Sequence, residues 1–322
     1  MASAELPPWA LDLLRSPSNL QPLGLHEGRL VTPDGTRAGT LVDGVVCFPV
    51  GQPDGSIAFY REAGGAHFHE RAAVAYAMSS LDTVVYHDYL SELRPADRSQ
   101  VVIDVGGGDG RNALPWLRWG HERVVVVDAV QAALVRFRAR VAADHPEWLE
   151  RLLLVEADAR NLPFRDGCAG AVQTIETLAY LNEDYETGLR ECVRLMAGGA
   201  RLLVSDRDYE AGLLTRLFYS GGVAGLPEQA GRRDIVDGNA ERAVRSRCFT
   251  ADELAAMVRG CGLTIRSQKG ISALSLVLGH ERAAGRLTAG DESLVAPVHE
   301  VLRALGKEGS MLRSHVIVAE RA

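Results

Sequence analysis

Val101-Val102-Ile103-Asp104-Val105-Gly106-Gly107-Gly108-Asp109-Gly110 is the stretch whose reading decides the fold. A short β-branched apolar run enters a turn of small residues. Glycines there permit positive φ where the chain must bend, and they let its backbone approach a ligand closely. The spacing is acid-x-Gly-x-Gly-x-Gly. A dinucleotide fingerprint would place its third glycine three residues after the second, where this chain has Arg111. The turn predicts a strand that delivers a ligand-binding loop.

Working outward from it, β-rich apolar runs recur at 101–105, 123–127, 152–156, 171–175, 201–205, 263–268 and 314–319. Helix-like stretches begin near Asn112, Ala129, Tyr185, Ala251 and Asp291. Thr250 followed by Glu253 has the spacing of a capping box, Cys261-Gly262 predicts the end of that helix, and Gly198-Gly199 predicts the end of the one before the fifth strand. Alternation of this kind predicts an α/β fold, a seven-stranded, mostly parallel, doubly wound sheet.

Acids sit at the ends of three successive strands, where open α/β sheets bind ligands. Asp104 closes the first, Asp128 the second, and Asp158 follows the third. A carboxylate at Asp128 suits a ribose diol, because it accepts from both hydroxyls. Asp158 suits an exocyclic amine, with the backbone N–H of Ala159 donating to the ring. Each acid taken singly also suits a helix cap, and a dinucleotide dehydrogenase would share the second acid. Neither alternative accounts for Asp104 and Asp158 together.

These residues resemble motif I and the adenine loop of the class I S-adenosylmethionine (SAM) methyltransferases, notably the ubiquinone-biosynthesis-like, type 11 branch. The adenine-loop likeness runs through Asp158-Ala159-Arg160-Asn161-Leu162-Pro163-Phe164-Arg165-Asp166-Gly167. Further likeness lies in 171–181, in 194–200 and in 248–254. The resemblance implies the Rossmann-like methyltransferase fold and SAM as cofactor. It places Asp104 near the ligand's amino group, the backbone of Gly106, Gly108 and Gly110 along its methionine, Asp128 and Ala129 at the ribose, and Asp158 and Ala159 at the adenine. Thr174 and Ile175 would touch the methionine part. Many members carry Glu-His after the fourth strand, whereas this chain has Ala179-Tyr180. A histidine base is therefore not carried over; Tyr180, Glu176 and His87 remain the catalytic candidates.

The 322 residues exceed the roughly 250 to 300 at which single cores stop growing, so an appendage is expected. A net charge of −7 leaves no positive field to draw phosphate backbones, which favours a small-molecule acceptor over nucleic acid. RNA methylation is the second reading, and a SAM-binding scaffold without turnover is one from another class. Five scattered cysteines without a Cys-x-x-Cys pair argue for a reducing compartment, and the start Met1-Ala2-Ser3-Ala4-Glu5-Leu6-Pro7 does not read as a signal peptide. No apolar run approaches the length of a membrane span. A soluble cytoplasmic protein is the expectation.

Three segments divide the chain: a small β module at 1–53, a helical lead-in at 54–99, and a methyltransferase domain at 100–322 with a substrate-covering insertion at 206–248, most of whose arginines read as a solvated face while others suit an anionic acceptor. The β module resembles a zinc-ribbon methyltransferase-activator module without its cysteines. Ser16, Asn19, Thr32 and Gly35 stand at the ligand positions, and none replaces a thiolate. His67 and His69 in the lead-in would not share a helix face. No metal is expected.

Overall fold

A computed structural model describes residues 6–51, 55–63, 85–213, 231, 233–238, 243–275, 300–307 and 312–322. The strands are β1 (Gly24–His26), β2 (Arg29–Val31), β3 (Arg37–Val42), β4 (Val45–Cys47), β5 (Val101–Val105), β6 (Val124–Asp128), β7 (Leu152–Glu156), β8 (Ala169–Ile175), β9 (Met196–Arg207), β10 (Asp234–Gly238), β11 (Ala243–Arg247), β12 (Leu263–Ser272) and β13 (Leu312–Arg321). One sheet runs in the order β1-β2-β3-β4-β7-β6-β5-β8-β9-β13-β12, and β10 pairs with β11 apart from it. Every strand expected from the hydrophobic runs is present.

The sheet has eleven strands rather than seven. The reason is a single junction: β4 adds in parallel to β7, with Val46 opposite Val155 and Cys47 opposite Glu156. An open edge at β7 would expose a row of unpaired backbone groups. The amino-terminal strands cover it, and the Phe48 N–H continues the pairing to the Glu156 carbonyl at 3.0 Å. The short β3–β4 connection is Asp43-Gly44, with φ of +51° and +77°, the conformation that a two-residue hairpin turn demands. The Ser16 and Thr32 turns are closed by hydrogen bonds, Leu20 N–H to the Ser16 carbonyl at 2.8 Å and Gly35 N–H to the Thr32 carbonyl at 2.9 Å. Among the described residues no cluster of His, Cys, Asp and Glu could hold a metal ion. No described helix is long and apolar enough to cross a membrane.

From β4 to β9 the neighbours are parallel, and β13 and β12 follow antiparallel. All five β5 residues are buried, as covering both faces requires. Side chains alternate between two cores. Ile103, Val105, Val125 and Val127 meet the helices Tyr185–Leu195 and Ala251–Gly260, while Val102, Val124 and Val126 meet Leu114–Arg118 and Gln131–Asp144.

We label the helices α1 (Gly55–Ala63), α2 (Leu114–Arg118), α3 (Gln131–Asp144), α4 (Tyr185–Leu195) and α5 (Ala251–Gly260). Two of them begin two residues later than their sequence signals, at Leu114 and Gln131. The capping box at α5 is complete, with Thr250 Oγ1 accepting from Glu253 N–H and Glu253 Oε2 accepting from Thr250 N–H. Gly262 follows with φ +78°. Gly198-Gly199 does not end α4; the helix stops at Leu195, and both glycines lie inside β9, because Met196 is already paired with Ala169. The lead-in is helical at 55–63 and 85–90, while His67 and His69 and the helix start near Asp291 lie outside the described residues.

Gly110 joins the glycine turn to the core. Its φ is +78°, and a Cβ there would enter the ring of fully buried Phe137. Gly110→Ala should destabilise the protein by roughly 2–4 kcal/mol, the sum of left-handed strain and overpacking. Denaturant unfolding measures it.

Candidate cofactor site

The crevice is built at the carboxyl ends of β5, β6, β7 and β8. The Val127 carbonyl accepts from both Gly106 N–H (2.7 Å) and Gly107 N–H (3.1 Å), which folds the glycine turn over the β6 end. Side chains are excluded from most of this turn by packing. A Cβ on Gly106 would collide with Thr177, and one on Gly107 with Val126 and Asp104. Gly108 differs: at φ +53° its Cβ position meets only Asp128 Oδ2, at 3.9 Å. Its backbone faces open space beside a carboxylate.

Asp128 is held by two backbone donors, Gly108 N–H to Oδ2 at 2.8 Å and Val130 N–H to Oδ1 at 2.9 Å. Burial still pushes its carboxyl up to about 6, the backbone donors opposing the rise. Asp104 lies beneath the turn, 1% exposed, and Oδ2 has no hydrogen-bond partner among the described residues. Burial raises it to about 7, with the Gln173 amide opposing and the Asp128 carboxylate adding. Thr174, opposite Val105 in the register, is fully buried with Oγ1 unpartnered among the described residues, and Ile175 is buried beside it. Orphaned acceptors and a bare backbone at one crevice fit a polar ligand carrying hydrogen-bond donors.

Past β7, Asp158 is gripped by Arg160, whose Nε reaches both oxygens at 2.9 and 3.0 Å and whose Nη2 reaches Oδ2 at 2.7 Å. The acid level with Asp128 is instead Glu156, its direct partner in the β6–β7 register. Glu156 pairs with Arg61 Nη2 at 2.8 Å, and the Ala129 carbonyl accepts from Arg61 Nε at 3.1 Å. Ala159 packs on the core near α4, its carbonyl facing Gly188.

Past β8, Glu176 adopts φ +50° and accepts from Arg313 Nη2 (2.9 Å to each oxygen), Ser314 Oγ (2.7 Å) and Tyr86 Oη (3.2 Å). Such a saturated carboxylate positions the loop rather than offering a free base. Tyr180 Oη accepts from Arg207 Nη2 at 3.1 Å, and its ring stands edge-on to Tyr60 at 5.1 Å. His87 lines a cavity of about 490 Å³ with Arg118, Trp119 and Lys307 and lies within reach of the Arg111 backbone just past the glycine turn; burial lowers it to about 4.

Residues 102–199 match a family described as a methyltransferase domain. This stretch, about a third of the chain, is similar to a methyltransferase domain. A polyamine aminopropyltransferase of Shewanella oneidensis is 38% identical over 88 residues, which is 26% of this chain. The match spans only 15% of that relative's length. Among solved structures, the [4+2]-cyclase SpnF aligns with TM-score 0.50 at 18% identity, covering 73% of this chain and 79% of that one. The geranyl diphosphate C-methyltransferase of Streptomyces coelicolor, in complex with Mg²⁺, geranyl diphosphate and S-adenosyl-L-homocysteine, aligns with TM-score 0.50 at 14% identity, covering 74% and 77%. At these identities the two structures establish a shared fold.

Sequence reading missed Arg61, Glu156, Gln173, Arg313 and Asp206. Gln173 carried a signal, a lone amide inside an apolar strand; it takes the Trp116 indole N–H at 2.7 Å. Asp206 is the next-to-last residue of β9, much as Asp128 is the last of β6. It accepts from Tyr185 Oη at 2.9 Å, yet burial raises it to about 8. An acid raised in the folded state stabilises below its ordinary range and loses that contribution as pH climbs to the folded value. The melting-temperature gain of Asp206→Asn over the natural chain should therefore grow from pH 5 to 8 and level off above 8. Thermal melts across that range test it.

Proposed function

We propose that the chain transfers the methyl group of SAM to a small-molecule acceptor bound above the ends of β8 and β9. The observation that carries this reading is Asp128, a half-buried carboxylate fixed by Gly108 and Val130 amides beside the only turn glycine whose Cβ position is open. Two carboxylate oxygens with lone pairs to spare suit the vicinal hydroxyls of a ribose. SAM supplies an activated methyl group on a sulfonium, so the protein's task is largely to place and desolvate.

The chain's own residues divide that work. Asp128 holds the ribose, and the glycine backbone passes along the methionine. Asp104 and Thr174 supply buried acceptors to its polar end. Asp104 sits near neutrality, so a cationic ligand above the turn would favour its ionised form. On the acceptor side, Glu176 fixes the post-β8 loop through Arg313 and Ser314, and Tyr180, whose oxygen faces Arg207, orients the acceptor. The net charge of −7 supports a small acceptor over a nucleic acid.

Isothermal titration tests the cofactor half. Asp128→Ala should weaken SAM binding at least tenfold, the loss of one charged hydrogen-bonding partner. Gly108→Ala should weaken it too, while costing the fold only about 1 kcal/mol because its Cβ meets no core atom. In the natural chain, affinity should fall as pH drops below about 6, where the Asp128 carboxyl gains its proton. Equal affinity at pH 5 and 7.5, or full binding by Asp128→Ala, would overturn the assignment. Transfer of radiolabelled methyl to a panel of metabolites, with RNA as a parallel acceptor, tests the substrate half.

A further inference from the structure

We infer that Arg61 is a cofactor-positioning residue that fastens α1 across the crevice and closes it over the adenosine half of SAM. The inference rests on the SAM reading above. Four contacts carry it, two on each lip. On the β6–β7 lip, Arg61 Nη2 meets Glu156 Oε1 at 2.8 Å and Arg61 Nε meets the Ala129 carbonyl at 3.1 Å. On the β8 lip, Ser56 Oγ donates to the Tyr180 carbonyl at 3.0 Å and the Tyr60 ring stands edge-on to that of Tyr180.

Between the two lips lie the end of β5 and the glycine turn. β7 and β8 are three strand spacings apart, about 14 Å. From residue 56 to residue 61 a helix rises about 7.5 Å, so a long side chain must cover the remainder. Arginine also matches the chemistry of the far lip. Its planar fork presents Nε and Nη2 to a carbonyl and a carboxylate together, which a lysine ammonium does not reproduce. Glu156 stands beside Asp128 in the register, and two adjacent carboxylates repel. Arg61 offsets the Glu156 charge and leaves Asp128, held by backbone amides alone, with lone pairs to spare at this end.

Binding of SAM and of adenosine alone, by titration calorimetry, tests this. Arg61→Ala should weaken both by the same factor, about tenfold, because the effect is confined to the adenosine half. Arg61→Lys should recover part of the loss. Glu156→Gln should weaken both ligands as Arg61→Ala does, and the double variant should be no worse than either single one, since both remove one contact. This reciprocal variant keeps the test decisive where Arg61→Ala fails to fold. SAM affinity within twofold of the natural chain in both variants, while Asp128→Ala still loses binding, would overturn the role of Arg61 and leave the site intact. Failure of the natural chain to bind SAM would overturn both.

Discussion

Asp128 joins three levels of this structure. Its oxygens accept the Gly108 and Val130 amides, so one carboxylate ties the end of β6 to the glycine turn and to the approach of α3. The price is desolvation, visible as a carboxyl displaced upward despite two good donors. The turn itself is pulled to the same strand end by the Val127 carbonyl, which takes both Gly106 and Gly107. Everything at the crevice is hung from this junction. Gly106, Gly107 and Gly110 are glycine because core atoms occupy the space a side chain would need, and Gly108 alone faces open space.

Parallel strands bring their carboxyl ends to one edge, and that geometry concentrates acids there. Asp104, Asp128, Glu156 and Asp206 each stand at the last or next-to-last residue of a strand at that edge, and each meets a different fate. Glu156 is paired by Arg61. Asp206 is buried against Tyr185 and raised to about 8. Asp104 is buried beneath the turn with one oxygen unpartnered among the described residues, and Asp128 stands at the crevice mouth. The same residue type after the same kind of strand thus performs different work, according to which neighbouring element reaches it.

The amino-terminal strands are part of this arrangement. By pairing with β7 they cover its open edge, and Cys47 and Phe48 pair alongside Glu156 itself. Further ties run from the same segment to the loop after β7, including Arg15 N–H to the Pro163 carbonyl at 2.8 Å and Asn161 Nδ2 to the Pro17 carbonyl at 3.1 Å. These strands are a continuation of the central sheet.

Hydrophobic period, glycine spacing and capping chemistry are local, so the sequence by itself determined the seven strands of the domain, the ligand turn after β5, the Thr250 cap and the Asp128 position. Contacts between distant segments decided the rest. Nothing in 45–47 marks it as a partner for 152–156, since any short β-rich run suits an open edge. Glu176 was read as a catalytic candidate because acids after a strand are visible in sequence; Arg313, Ser314 and Tyr86, which saturate it, come from segments 90 and more residues away. Asp158 was legible as an acid, and its capture by Arg160 two residues on was not, because side-chain direction depends on how the loop closes. Arg61 carries no local signal at all. It gained a role only when folding laid α1 across strand ends that lie 68 and 95 residues beyond it in the chain.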